Sequence, residues 1–162
     1  PEPTGEVLGP ITDNLDGTHR FATDPPLVNP GNWVGGDLET GEHHTAEDAA
    51  LALGEALDRA LGDRRGIARF GDAVVPMDDA LARAAVDLGG RAAYELQLEP
   101  DPGLAEQVLR SFAQAGRLGL HVDASGSDAH HVAEAAFKAV GRALRSATRV
   151  EGADVPSTKG IL

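Results

Sequence analysis

The chain has 162 residues, no cysteine and a formal net charge of −12; hydrophobic residues make up 41% of it and aromatic residues only 4%. This length fits one domain, or two small halves that share a core of Leu, Val and Ala. The missing cysteines exclude disulfides and thiolate-bound metals, and the negative charge argues against nucleic acids and anionic membranes as partners. No apolar run could span a bilayer and residues 1–9 do not resemble a secretory signal, so we expect a cytoplasmic protein.

The predicted elements are concentrated after residue 42. Residues 1–42 are rich in proline and glycine and contain one short predicted strand, at 18–23. From 45 to 61, alanine and leucine recur at helical spacing, and Gly62 supplies a C-terminal stop. Later patterns predict strands at 66–75, 80–88 and 94–98, a helix at 103–115, a strand at 118–122 and a helix from about 128 to 147.

The strongest internal signal is the repetition of one helix. Residues 43–60 (HHTAEDAALALGEALDRA) and 130–147 (HHVAEAAFKAVGRALRSA) align without a gap and share both histidines, the glutamate, the glycine and the final leucine. Alanine-rich helices often match by chance, but a shared His-His-x-x-Glu motif does not arise that way. The repeat indicates a tandem duplication of an α+β unit in which helices cover one face of a sheet. We therefore predict a single domain of two pseudo-symmetric repeats, at about 10–90 and 91–150, with a tail at 151–162.

Each histidine pair is followed by a glutamate that shares a helical face with it. His43 and Glu47 are four residues apart, and so are His130 and Glu134. Neighbouring histidines diverge by about 100° around a helix, so each helix offers nitrogen in two directions, and two metal ions are favoured over one. Imidazole and carboxylate without thiolate suit Mn, Fe, Co, Ni or Zn. The candidate ligands are His43, His44, Glu47, His130, His131 and Glu134, with His121 added from a neighbouring strand.

Each of these signals has an ordinary structural alternative. A single His-His pair at a helix start is usually a polar first turn, and only its repetition with a matched glutamate favours metal ligation. His121, in an apolar strand, is more often a core histidine, and His19 is most simply a surface residue. Guanidinium groups, and lysine beside hydroxyls, can bind phosphate, although scattered arginines and polar tails usually serve solubility. The candidate anion-binding residues are Arg69, Arg91, Ser157, Thr158 and Lys159.

Taken together, these motifs resemble the imidazoleglycerol-phosphate dehydratase family of histidine biosynthesis. The resemblance covers roughly residues 36–162 and rests on the segments GEHHTAED (41–48), LGDRRGIARFG (61–71) and PMDDAL (76–81). It continues, in family order, through segments 87–91, 120–122, 128–139 and 156–160.

The resemblance implies a hydro-lyase that dehydrates a small phosphorylated substrate, imidazole glycerol phosphate, to imidazole acetol phosphate. It implies two Mn²⁺ ions per subunit, held by the seven candidate ligands at interfaces between subunits that assemble as trimers into a homo-oligomeric 24-mer. It also implies that Arg69, Arg91, Ser157 and Lys159 hold the phosphate. Glu47 and Glu134 are the candidate catalytic carboxylates, because a carboxylate must move a proton in such a dehydration.

The N-terminal quarter departs from the family pattern. A Phe-Asp-His-Met segment that supplies an eighth ligand is missing, and Val34 stands where the repeat would place a counterpart of His121. Residues 1–9 also lack the family's Arg-x-Thr-x-Glu-Thr segment and its catalytic glutamate; Glu2 and Glu6 are the available substitutes. We therefore expect one tight and one weak metal site, with His19 as the only spare imidazole. The alternative function is a metal-binding, oligomer-forming relative with little or no dehydratase activity.

Overall fold

A computed structural model describes residues 12–13, 19–20, 41–154 and 156 of the chain. Strands β1 (Thr12–Asp13) and β2 (His19–Arg20) pair antiparallel with one another. The remaining elements follow in the order α1 (Glu42–Leu61), β3 (Phe70–Met77), β4 (Ala80–Asp87), β5 (Ala93–Glu99), α2 (Leu104–Ala115), β6 (Gly119–Ser125) and α3 (Ala129–Ala147).

Four strands form one mixed sheet in the order β3-β4-β6-β5. β3 and β4 form an antiparallel hairpin, β6 runs antiparallel to β4, and β5 runs parallel to β6, to which α2 connects it. Alternate residues of β4 are buried, among them Ala82, Ala84 and Val86, whereas Leu81 and Arg83 are exposed. This period of two is the pattern of a sheet with one covered face and one open face.

The helices cover the face that these small residues line. α3 packs across β3 and β4 so closely that a Cβ on Gly71 would lie 2.1 Å from the carbonyl oxygen of Ala143. α1 packs against α2, where a Cβ on Gly54 would lie 2.6 Å from the carbonyl oxygen of Phe112. The predicted α+β class, with helices on one face of a sheet, is confirmed.

The predicted elements after residue 42 are present, with boundaries that tertiary contacts have moved. β3 begins at Phe70, not at residue 66, because the preceding residues turn back toward the C-terminal segment. There Gly66 and Arg69 have positive φ angles of 69° and 71°, and Ile67 pairs with Val150. The repeat limits stay a prediction, since most of residues 10–40 lies outside the described part of the chain. None of the helices in the described part is long and apolar enough to cross a membrane.

Candidate active site

Both histidine pairs lie at the same end of the sheet, and His130 and His131 lie beside the turn that joins β3 and β4. α3 begins shortly after β6, whose last residue, Ser125, pairs with Leu81 beside that turn. α2 also begins at this end, because β5 runs parallel to β6 and ends with it. The first turns of α1 lie against α2, where Glu47 contacts Gln107. The duplication therefore places its two His-His-x-x-Glu motifs at one end of the molecule.

The imidazole ring of His131 contacts two carboxylates in the turn between β3 and β4. Its Nδ1 lies 2.5 Å from Oδ1 of Asp79, and its Nε2 lies 3.5 Å from Oδ2 of Asp78. The other oxygen of Asp79 accepts hydrogen bonds from Ser127 and from the backbone of Asp128, just before α3. The hydrogen bonds from Ser127 and His131 hold the pKa of Asp79 well below its usual value, and Asp79 in turn raises the pKa of His131. The sequence does not single out this carboxylate; only the folded turn brings it to the ring.

His130 faces a different partner, on the next turn of its own helix. Its Nε2 lies 3.7 Å from Oε2 of Glu134, whose other oxygen lies 2.7 Å from Nζ of Lys138. Lys138 is the main cause of a lowered pKa of Glu134, which favours the ionised carboxylate, the form that can bind a cation. The ring centroids of His130 and His131 lie 6.1 Å apart, in agreement with the divergence that helical geometry predicts.

The first pair, His43 and His44, is exposed in the first turn of α1, with ring centroids 6.2 Å apart. One turn further, Glu47 accepts a hydrogen bond of 3.3 Å from Nε2 of Gln107 on α2. The same amide group lies 3.2 Å from Oγ of Ser111. Nothing local in the sequence marks Gln107, and only the packing of α2 on α1 reveals it as a neighbour of the candidate site.

The two helix starts carry donor atoms of the kind that bind metal ions. Within the described ranges, no three His, Asp or Glu side chains form a group that could hold an ion by themselves. Each helix start nevertheless presents imidazole nitrogen beside carboxylate oxygen, a donor set that suits a divalent transition ion. The residues present therefore fit such an ion if its remaining ligands come from another subunit or from water.

The structure does not bring His121 to the histidine pairs within one chain. Its side chain is exposed on the open face of the sheet, opposite the face that α3 covers. It lines a cavity of about 290 Å³ together with Phe70, Asp87 and Arg91. The alternative of a buried core histidine is therefore wrong, and ligation by His121 stays a prediction that requires a second subunit.

Arg69 forms hydrogen bonds within its own chain. Its Nε and Nη2 donate to the two carboxylate oxygens of Asp87 at 2.7 and 3.1 Å, and this hydrogen bonding raises the pKa of Arg69. Its Nη1 donates to the carbonyl oxygen of Pro156 at 2.9 Å, which brings the C-terminal segment to the same end of the sheet as Arg91. Arg91 is exposed and has no ion-pair partner in the described part of the chain. The other predicted phosphate ligands, which follow Pro156 directly but lie outside the described residues, are Ser157, Thr158 and Lys159.

The histidine pairs and the arginines stand at opposite ends of the sheet. β3 runs from Phe70, beside Arg69, to Met77, beside the turn that holds His131. A strand of this length spans roughly 20–25 Å. A small phosphorylated substrate is shorter than that, so it cannot contact both ends of one chain. A complete site would combine one end of one subunit with the other end of a second subunit.

Comparison with known protein families gives a consistent match. The family model described as imidazoleglycerol-phosphate dehydratase matches residues 32–144. The chain is 51% identical to the imidazoleglycerol-phosphate dehydratase of Frankia casuarinae, over 78% of this chain and 71% of the relative. It is 50% identical to the enzyme of the same name from Desulforudis audaxviator, over 78% of this chain and 70% of the relative.

Solved structures give the same result. The imidazoleglycerol-phosphate dehydratase of Pyrococcus furiosus superposes with a TM-score of 0.66 at 38% identity, covering 78% of this chain and 73% of that one. The dehydratase of Staphylococcus aureus superposes with a TM-score of 0.63 at 34% identity, covering 68% of this chain and 70% of that one.

Proposed function

This chain belongs to the imidazoleglycerol-phosphate dehydratase family, and from that membership we propose that it is a metal-dependent hydro-lyase of histidine biosynthesis. Its proposed reaction converts imidazole glycerol phosphate into imidazole acetol phosphate and water. The observation that carries the proposal is the placement of two His-His-x-x-Glu helix starts at one end of the fold. The arginines and the C-terminal segment at the other end support it as a place for the phosphate.

We propose Mn²⁺ as the cofactor, with two ions per subunit. Each ion would take imidazole and carboxylate from a helix start and complete its coordination at interfaces in a trimer-based 24-mer. The incomplete donor sets of a single chain support such shared sites. The expected difference in affinity between one tight and one weak metal site stays a prediction. Residues 21–40, the segment that lacks the family's histidine, lie outside the described residues.

The proposed reaction gives each of the candidate catalytic and phosphate-binding residues a role. When bound, divalent ions supply Lewis acidity to the substrate's imidazole ring. Dehydration removes the hydroxyl from the carbon beside that ring and a proton from the next carbon, and the resulting enol becomes the ketone. Glu134, which pairs with Lys138, or Glu47, which accepts a hydrogen bond from Gln107, would accept the proton. Arg91 and Lys159 would hold the phosphate through charge-assisted hydrogen bonds.

The direct test is growth of a histidine auxotroph that lacks its own dehydratase, together with dehydration by the purified protein. We expect growth without histidine and Mn²⁺-dependent conversion of substrate. Replacing both candidate proton acceptors, Glu47→Gln together with Glu134→Gln, should abolish both, because an amide cannot accept the proton, whereas Arg65→Ala, at an exposed site, should retain both. Folded, Mn²⁺-loaded protein that supports neither growth nor conversion would contradict the proposal. Only that result would favour the non-catalytic alternative, for which the family matches offer no support.

Substrate affinity provides a second prediction. Arg91→Ala and Lys159→Ala should each raise the KM for substrate about 10–100-fold while metal content stays unchanged, since a hydrogen bond to a charged group contributes roughly 1.5–3 kcal/mol. Arg83→Ala is the matched control: it removes an exposed arginine from the same open face, where Arg83 pairs with Asp123 and with no other acid among the described residues. Equal KM values in all three variants would assign Arg91 and Lys159 to the surface. Steady-state kinetics and elemental analysis of the same preparations give both quantities.

A further inference from the structure

Asp79 uses both of its carboxylate oxygens to join two separate parts of the chain. Oδ2 accepts hydrogen bonds from the backbone N–H and the hydroxyl of Ser127, both at 2.6 Å, and from the backbone N–H of Asp128 at 3.2 Å. Oδ1 lies 2.5 Å from Nδ1 of His131. The turn between β3 and β4 is thereby attached to the start of α3 and to one imidazole ring.

The contact with Oδ1 determines which ring nitrogen of His131 carries the proton. An ionised carboxylate can only accept hydrogen bonds, so Nδ1 of His131 must donate. The neutral ring then has its lone pair on Nε2, the nitrogen that faces Asp78 at 3.5 Å. A hydrogen bond from the distal nitrogen to a carboxylate is the arrangement that orients metal-binding histidines in proteins.

We propose that Asp79 is a positioning residue that holds His131 in the Nδ1–H tautomer and so presents Nε2 to the metal ion. The inference rests on the proposed function, because it assigns His131 to the metal site of the dehydratase. Asp79 does not itself need to contact the ion or the substrate.

A purely structural role for Asp79 makes a different prediction. If its contacts with Ser127 and Asp128 were all that mattered, any side chain that kept those contacts would suffice. Asp79→Asn separates the two roles. The two backbone N–H groups that point at Oδ2 require the amide oxygen there, so the amide NH₂ must face Nδ1 of His131. That donor would move the ring proton to Nε2 and block it as a ligand.

The experiment compares wild-type protein with Asp79→Asn and with Ser127→Ala. Solid-state NMR of ¹⁵N-histidine-labelled, metal-free protein reports the tautomer at any particle size, with His131→Asn used to assign the signals. Calorimetric titration with Mn²⁺ reports affinity. We expect Asp79→Asn to reverse the tautomer and to weaken Mn²⁺ binding about 10–100-fold. Ser127→Ala, which removes only the hydroxyl from the same cluster, should keep the wild-type tautomer and an affinity within about threefold.

An unchanged tautomer in Asp79→Asn, or a reversed tautomer with wild-type Mn²⁺ affinity, would overturn the proposal. If Asp79→Asn does not fold, Asp79→Glu and Asp79→Gln provide the same contrast, and only the carboxylate should restore tight binding. Failure of the proposed function gives a distinct result: the wild type itself would bind no Mn²⁺. The NMR comparison would still decide whether Asp79 sets the tautomer of His131.

Discussion

Replacing His43 or His130 by alanine should lower the rate of dehydration roughly a thousandfold and reduce the Mn²⁺ that the protein retains. Each change would remove one imidazole from the ligands proposed at that helix start, so fewer ligands would remain for the proposed ion. A thousandfold loss corresponds to about 4 kcal/mol of transition-state stabilisation, within the range that Lewis-acid catalysis supplies. Elemental analysis of protein purified without chelator, with initial rates at saturating substrate, measures both effects.

His121→Ala is the informative comparison, because this exposed histidine lies on the open face of the sheet, opposite the face that the helices cover. If His121 completes a site in a neighbouring subunit, its loss should also lower the metal content. If only the helix starts bind the ions, the metal content should not change. Unchanged Mn²⁺ content in both His43→Ala and His130→Ala would contradict the metal sites altogether.

Replacing Arg64 by alanine should reduce the free energy of unfolding by about 3–5 kcal/mol. The Arg64 side chain is only 4% exposed and is paired with the carboxylate of Asp58. Its guanidinium also donates to the carbonyl oxygens of Leu88, Gly116 and Arg117, each at 3.3 Å. These contacts join the end of α1 to the ends of β4 and α2. Alanine would leave buried acceptors without their donor, which is why the expected loss is large.

Urea unfolding of the metal-free protein, at a fixed protein concentration, measures this loss as a shift of the midpoint at unchanged m-value. Arg65→Ala is the matched control at the neighbouring position. Arg65 is 58% exposed and, within the described part of the chain, pairs only with Asp63, so its replacement should change the stability by no more than about 0.5 kcal/mol. Equal midpoints for the two variants would show that the Arg64 contacts do not stabilise the fold.

Helices α1 and α3 could be predicted because their signals are local. Apolar residues three and four positions apart define the buried stripe of a helix, and a following Gly62 ends α1 whatever the rest of the chain does. The two His-Glu spacings are local in the same sense. The strand predicted at 80–88 is likewise present, as β4 at Ala80–Asp87.

Contacts between distant segments could not be predicted in this way. Gln107 reaches Glu47 across 60 positions of sequence, and Asp79 reaches His131 across 52. Neither residue type is unusual where it stands, so no local pattern distinguishes it. The orientation of His121 also depends on which face of β6 the helices cover, a property of the assembled sheet.

The glycine that recurs in both copies of the motif shows which features are local to the sequence and which depend on tertiary packing. Gly54 and Gly141 occupy the same position in the two copies of the motif, so the sequence by itself determined two equivalent helices that carry the same His-His-x-x-Glu side chains. In the fold, Gly54 lies against α2, whereas a Cβ on Gly141 would meet no described atom within 4 Å. Helical spacing depends on residues a few positions apart, and the duplication preserved it. The partner of each helix, and hence the set of side chains around each histidine pair, depends on packing between segments far apart in the chain, and only the tertiary structure decided it.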